Sequence, residues 1–225
     1  MIPLAWTEVE ELRLGRLDGG RAGHVITGID ADSREVGPGD LFVALNTGVR
    51  YVDEARARGA ATLVPDDQEA ALAALATLVR SKSAARVVAV VGSAGKTTTK
   101  DILGALCEPH ASTIWAERSL NNEIGLPLTV CTLEPETAIL VTEMGMRGLG
   151  QIAALCAIAL PEIAVVSHIG PEHRAASECR AGGRSELRGH SVSPAGGYGG
   201  GARALPGARA ISRARRRHDS ALRSR

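Results

Sequence analysis

Aromatic side chains are scarce in this chain of 225 residues, which contains two Trp, two Tyr and one Phe. No apolar run approaches the roughly 20 residues that span a bilayer, and residues 1–12 carry acids where a signal peptide carries basic residues. The four cysteines lack Cys-x-x-Cys spacing, which indicates reduced thiols rather than a metal or redox motif. We therefore expect neither a membrane span nor a secretory signal, but a cytoplasmic globular protein with a core of Val, Leu, Ile and Ala.

A glycine loop directly follows an apolar, β-branched run. Residues 87–91 read VVAVV, residues 92–99 read GSAGKTTT, and a helix-like segment comes next. This order is typical of a phosphate-binding loop, in which backbone N–H groups surround phosphate oxygens, a lysine adds charge and a threonine hydroxyl binds Mg²⁺. The strict Gly-x-x-x-x-Gly-Lys spacing is not met, because Val90 stands where its first glycine would be. An ordinary glycine-rich turn is therefore an open alternative.

Further polar residues stand where strands are expected to end. Glu143 follows the apolar run 138–142, and a carboxylate there can reach the Mg²⁺ of a nucleotide held by the glycine loop. The alternative is an ordinary acid at a solvated strand end. Two other pairs of polar residues also have ordinary structural alternatives. His168 and His173 could be polar loop residues. Asn121 and Asn122 could be a helix cap.

Taken together, these segments resemble the Mur ligases, and among them the ligases that use D-alanyl-D-alanine. The matching pieces are GSAGKTTTKDIL, NNEIGLPLT, TEMG and PEIAVVSHIGPEH, together with DSREVGPGDLFVAL at residues 32–45, and the resemblance covers about residues 1–173. It implies a monomeric, cytoplasmic, ATP- and Mg²⁺-dependent ligase of peptidoglycan synthesis. Its substrates would be UDP-N-acetylmuramoyl-tripeptide and D-alanyl-D-alanine, joined through an acyl phosphate.

The resemblance also implies roles for individual residues. Lys96, Glu143 and His173 would be catalytic, with one Mg²⁺ held by Thr97 and Glu143 and a second held with help from His173. Ser33 and Arg34 would face the uridine diphosphate. The residues implied in ATP binding are Gly92, Ser93, Ala94, Gly95, Lys96, Thr97, Thr98, Asn121 and Asn122.

The chain also departs from the pattern of these ligases. His168 stands where they commonly carry Asn, and a short substrate-side segment after Arg50 is missing. Beyond His173, the later lysine, the rest of the central domain and the third domain are not recognisable. Residues 174–225 instead hold twelve Arg, no Lys and three acids, a net charge of +9, whereas residues 1–173 carry −8.

Two explanations for this basic tail are open. It could be a glycine-rich arm that binds nucleic acid or an anionic membrane surface, or a frame-shifted translation of a GC-rich gene. We favour the frame shift, because the resemblance stops inside a motif and the chain has 23 Arg against three Lys. The tail has too few apolar residues to fold alone, so we expect disorder and no nucleic-acid partner.

The predicted fold is α/β. Residues 1–83 would form a small substrate domain that binds the UDP-sugar, residues 84–173 a truncated parallel-sheet ATPase domain, and residues 174–225 the disordered basic tail. Strands are expected at 40–45, 60–64, 87–91, 138–142 and 163–167, and helices at about 97–107 and 149–159. Apolar residues at helical spacing predict one more helix, opened by Asp66 or Asp67: Leu72, Leu75, Ala76 and Val79.

Three functions therefore follow as hypotheses. The first is a ligase by family that is inactive as this truncated chain. The second is a remnant that binds nucleotide or UDP-sugar without catalysis. The third is a nucleic-acid-binding protein acting through the basic tail.

Overall fold

The computed structural model describes residues 1–117 and 119–169, all of which belong to one compact unit within Met1–Ala195. The architecture is mixed α/β with parallel sheets, as predicted. His173, Cys179 and the whole tail lie outside the described residues, so the second Mg²⁺ ligand and the disorder of the tail stay predictions. Within the described ranges, no helix has the length and apolar content needed to cross a bilayer.

The first half of the described chain, up to residue 85, contains three helices, one short 3-10 helix and six strands. The strands are β1 (Leu4–Ala5), β2 (Gly15–Asp18), β3 (Val25–Ile26), β4 (Gly28–Asp30), β5 (Asp40–Val43) and β6 (Ala61–Pro65). The helices are α1 (Trp6–Glu11), α2 (Val52–Ala57), which follows the 3-10 helix Asn46–Tyr51, and α3 (Gln68–Ser81).

The second half, from residue 86 to 169, alternates strands with helices. The strands are β7 (Arg86–Val91), β8 (Thr113–Trp115), β9 (Ile139–Glu143) and β10 (Ile163–Val166). The helices are α4 (Lys96–Cys107), α5 (Gly125–Cys131) and α6 (Gln151–Ala159). The predicted strands and helices of this half are therefore present, with ends that differ by one or two residues.

A mixed sheet organises the first half, with strand order β2-β6-β5-β4 and only β2 antiparallel to its neighbour. Helix α3 begins where the sequence predicts, because the carboxylate of Asp67 accepts the backbone N–H of Ala70 at 3.0 Å and so caps the helix. The predicted apolar stripe of α3 is buried: Leu72, Leu75, Ala76 and Val79.

An all-parallel sheet organises the second half, with strand order β10-β7-β9-β8. In β7, the alternate residues Val87, Ala89 and Val91 share one face and join the main apolar core. Helix α4 packs against β7, β8 and β9, whereas α5 and α6 pack with α3. Because the strands are parallel, the ends of β7 and β9 meet at the same edge of the sheet, which places the glycine loop beside Glu143.

One apolar core runs through both halves. It includes Leu41 and Leu75 from the first half and Leu126 and Leu155 from the second. The connection between α3 and β7 is braced by Arg80, whose Nε donates to the carbonyl of Ala159 at 2.8 Å. The predicted domain boundary at residue 83 falls in this connection, and it stays a prediction because the core continues across it.

Strand β8 and helix α5 are not in the sequence prediction. Strand β8 has three residues, too few to show a period. Gly125 and Pro127 lie in the first turn of α5. Proline is tolerated there because the first N–H groups of a helix have no partner within it.

Close packing between α4 and β8 leads to a stability prediction. A Cβ on Gly104 would lie 2.5 Å from Cδ2 of Trp115, and overpacking of this kind costs about 1–3 kcal/mol, more than the ~1 kcal/mol that alanine gains over glycine in a helix. We expect Gly104→Ala to lower the free energy of unfolding in urea denaturation. Gly148→Ala is the control, since a Cβ there meets nothing within 4 Å. Wild-type stability of Gly104→Ala would contradict the close packing.

Candidate functional site

At two positions, the loop between β7 and α4 has a backbone conformation that only glycine adopts easily. Gly95 has φ 76° and directly precedes α4. Gly92 has φ 139°, and a Cβ there would lie 2.4 Å from Oγ of Ser167 and 2.9 Å from the backbone of His168. The loop therefore needs both glycines, and it leaves the first N–H groups of a twelve-residue helix available for an anion.

The end of β10 holds this loop from the side. The backbone N–H of Ser93 donates to the carbonyl of His168 at 2.7 Å, and the Ser167 hydroxyl donates to the carbonyl of Ala94 at 2.7 Å. Ser167 is not among the site residues predicted from the sequence. Its position at the end of a strand beside the glycine loop is the signal that could have found it.

Lys96 reaches back across the loop. Its Nζ donates to the carbonyl of Gly92 at 2.8 Å. The ammonium charge of the first residue of α4 therefore lies at the beginning of the glycine loop. This location suits the binding of an anion by the loop and the helix N-terminus together.

Glu143 lies at the centre of a hydrogen-bond network at the edge of the sheet. Its Oε2 accepts the Thr97 hydroxyl at 2.8 Å, and its Oε1 accepts Nδ2 of Asn121 at 2.7 Å. Glu143 is 1% exposed, so the alternative of a solvated strand-end acid is wrong. The Ser119 hydroxyl, which sequence reasoning missed, lies 3.4 Å from that of Thr97. Three predicted site residues from three separate segments thus meet here.

The two neighbouring asparagines differ in their contacts. Asn121 binds Glu143 through its side chain, and its carbonyl accepts the N–H of Gly145 at 2.8 Å. The side chain of Asn122 accepts the N–H groups of Ile124 at 3.2 Å and Gly125 at 2.8 Å. Asn122 thus contacts the backbone at the start of α5, as the helix-cap alternative expects, and its role in ATP binding stays a prediction.

Ser33 and Arg34 lie in the connection between β4 and β5, in the sheet that does not carry the glycine loop. Ser33 is buried, whereas the Arg34 side chain is exposed. Arg34 donates to both oxygens of Asp32, at 2.9 and 2.5 Å. These hydrogen bonds hold the pKa of the Asp32 carboxyl well below its usual range and raise the pKa of Arg34. The predicted contact with uridine diphosphate stays a prediction.

The groups beside the glycine loop fit one Mg²⁺. No group of three or more His, Cys, Asp or Glu side chains that could hold a metal occurs in residues 1–117 and 119–169. Mg²⁺ needs fewer protein ligands than that, because it keeps several waters and binds one or two carboxylates together with phosphate oxygens. The carboxylate of Glu143 and the hydroxyl of Thr97 are hard oxygen donors of this kind, 2.8 Å apart.

The three cysteines in the described ranges are not among the groups of this site. Cys107, Cys131 and Cys156 are free thiols. Burial raises the pKa of Cys131 to about 12 and that of Cys156 to about 11. These two thiols therefore stay protonated at neutral pH and are poor nucleophiles.

Comparison with known proteins finds the family that the sequence resembles. Residues 90–178 match the Mur ligase middle domain. The chain is 33% identical over 191 residues to the UDP-N-acetylmuramoyl-tripeptide–D-alanyl-D-alanine ligase of Escherichia coli K12, a match covering 77% of this chain and 42% of that relative. Residues 90–178 thus belong to the Mur ligase family.

Solved structures of Mur ligases show the same fold. The corresponding D-alanyl-D-alanyl ligase from Acinetobacter baumannii superposes with a TM-score of 0.71 at 30% identity, over 85% of this chain and 47% of that one. The MurF ligase from Thermotoga maritima in complex with ADP superposes with a TM-score of 0.57 at 34% identity, over 65% of this chain and 38% of that one. The chain thus spans less than half the length of each of these Mur ligases.

Proposed function

We propose that this chain carries the nucleotide-binding and UDP-sugar-binding parts of an ATP-dependent ligase of peptidoglycan synthesis. The reaction would join D-alanyl-D-alanine to UDP-N-acetylmuramoyl-tripeptide in the cytoplasm. The contact of Glu143 with Thr97 and Asn121 beside the glycine loop carries the proposal. The similarity to a ligase solved with ADP supports the assignment of this loop to a nucleotide.

Each proposed binding group supplies charge or positions a reactant. None of them acts as a nucleophile. Lys96 and the backbone N–H groups of the loop 92–97 bind the phosphates of ATP, except that of Ser93, which donates to the carbonyl of His168. Thr97 and Glu143 hold Mg²⁺, which neutralises phosphate charge when it is bound. Ser33 and Arg34 contact the uridine diphosphate, where the Arg34 guanidinium suits phosphate oxygens.

The proposed chemistry has two steps. A carboxylate oxygen of the muramoyl-tripeptide attacks the γ-phosphorus of ATP, and ADP leaves. The amine of D-alanyl-D-alanine then attacks the acyl carbon, inorganic phosphate leaves and the amine loses a proton. Phosphoryl transfer of this kind depends on positioning and on charge stabilisation, which are what Lys96, Thr97 and Glu143 supply in this proposal.

The alternative of nucleic-acid binding has no support from the described residues, because its candidate groups lie in residues 174–225. The alternative of a binding remnant shares the nucleotide site with the ligase. It differs only in turnover.

The Mg²⁺ part of the proposal is tested by Glu143→Gln. We expect wild-type protein to bind ADP more tightly with Mg²⁺ than with EDTA, and Glu143→Gln to lose most of this gain, because a neutral amide is a weaker Mg²⁺ ligand than a carboxylate. Titration calorimetry in both buffers measures the two affinities. Glu162→Gln is the matched control, since Glu162 precedes β10 at the opposite end of the sheet and pairs with Arg86 at 3.1 Å. A full Mg²⁺ gain in Glu143→Gln would contradict the assignment.

A further inference from the structure

Lys100 is a buried lysine on α4, one helical turn after Lys96. It is 1% exposed, so its ammonium group faces protein rather than solvent. Its Nζ donates to the carbonyl of Ala116 and lies 2.9 Å from Oδ1 of Asp101. Because a buried ammonium is costly unless charged and hydrogen-bonding partners compensate it, these contacts explain how the charge is accommodated here.

Ala116 begins the asparagine loop, defined as residues 116–117 and 119–124 of the segment that connects β8 to α5. The N–H of Ala116 donates to the carbonyl of Val141 on β9 at 3.1 Å, and further along the loop the carbonyl of Asn121 accepts the N–H of Gly145 at 2.8 Å. Strand β9 therefore holds one side of the asparagine loop. Lys100 attaches the start of the same loop to α4.

The asparagine loop supplies two of the groups around the candidate Mg²⁺ ligands. Asn121 donates to Glu143 at 2.7 Å, and the Ser119 hydroxyl lies 3.4 Å from that of Thr97. Thr97 is on α4, one turn before the helix position of Lys100. The Lys100 contact thus joins the helix that carries Thr97 to the loop that carries Asn121.

We propose that Lys100 is a positioning residue for the Mg²⁺ end of the nucleotide site. By binding the carbonyl of Ala116 it fixes the spacing between Thr97 and the pair Asn121 and Glu143. This inference rests on the proposed function. It also gives different roles to the two lysines of the sequence GKTTTK. Lys96 reaches the glycine loop, whereas Lys100 reaches the asparagine loop.

Lys100→Met is the variant that tests the inference, because methionine keeps an unbranched side chain and removes both the charge and the donors. Lys82→Met is the matched control, since Lys82 pairs with Glu8 near the surface at 2.6 Å. Calorimetry measures ADP affinity with EDTA and with Mg²⁺ for both variants. Amide hydrogen exchange compares the asparagine loop with α3, which supplies none of the site groups named above.

In EDTA, we expect Lys100→Met to bind ADP with the affinity of wild type. The increase in ADP affinity when Mg²⁺ replaces EDTA should be smaller than in wild type by about tenfold or more, as for the loss of other partners that orient metal ligands. Exchange should rise about tenfold in the asparagine loop and stay unchanged in α3, as for the loss of one charge-assisted hydrogen bond. Lys82→Met should match wild type in both measurements.

Several results would overturn the inference. A full Mg²⁺ gain in Lys100→Met would show that the contact does not position the site, and an equal loss with EDTA would assign Lys100 to the phosphates. Faster exchange in α3 as well would give Lys100 a general role in stability. Wild-type protein that binds no ADP would overturn the proposed function and this inference, and the exchange arm would then still show separately whether Lys100 holds the asparagine loop.

Discussion

Lys96→Ala is expected to remove most of the ATP binding of this chain. The substitution deletes the ammonium group that reaches the glycine loop, where its Nζ lies 2.8 Å from the carbonyl of Gly92. A hydrogen bond between charged groups is worth about 1.5–3 kcal/mol, which corresponds to a loss of roughly 10- to 150-fold in affinity. Titration calorimetry with Mg²⁺-ATP measures this difference directly.

The control for this experiment is Lys82→Ala. It removes another of the three lysines and the same formal charge, but from an ion pair with Glu8 outside the site. Equal ATP affinity in wild type and Lys96→Ala would remove the glycine loop from consideration as the phosphate site. An equal loss in Lys82→Ala would show that net charge, rather than the position of Lys96, determines binding.

The sequence predicts those parts of the site that depend on local pattern. The run VVAVV followed by two glycines indicates a strand and a loop, and both glycines have positive φ values in the structure. The apolar spacing in α3 and the cap at Asp67 likewise involve residues within a few positions of one another. Local rules of this kind apply before any tertiary contact is known.

Other parts of the site depend on strand order, which local pattern does not reveal. For Glu143, local pattern left open both a Mg²⁺ ligand beside the glycine loop and an ordinary solvated acid. Glu143 is placed beside the glycine loop because β9 is the neighbour of β7. Asn121 reaches Glu143 because β8 lies on the other side of β9, so a contact between residues 22 positions apart follows from sheet topology. A three-residue strand leaves too little pattern to predict this order.

Identical neighbouring residues show the same limit. Asn121 and Asn122 have the same side chain, but one binds a carboxylate and the other binds the backbone at the start of a helix. Lys96 and Lys100 differ in the same manner, because Lys96 contacts the glycine loop and Lys100 contacts the asparagine loop. Composition and spacing cannot distinguish the members of either pair, because their difference arises only from what lies opposite each side chain.

The purified chain of 225 residues is expected to show no ligase turnover. The described residues offer candidate groups for ATP phosphates, for Mg²⁺ and for uridine diphosphate, but the sequence suggests none for the amine of D-alanyl-D-alanine. Holding two reactants in the right geometry supplies about 7–11 kcal/mol of barrier lowering, so losing it would reduce turnover below detection. The assay is phosphate release from Mg²⁺-ATP with UDP-N-acetylmuramoyl-tripeptide and D-alanyl-D-alanine.

The control in this assay is the Escherichia coli ligase, of which this chain covers 42%. Phosphate release by that enzyme, together with ADP binding but no substrate-dependent release by this chain, is the result expected of a nucleotide-binding part without catalysis. Turnover that needs both substrates and disappears in Lys96→Ala would contradict the expectation. It would then follow that residues 1–225 hold the amine as well as the nucleotide, and that positioning groups for the amine must be sought among them.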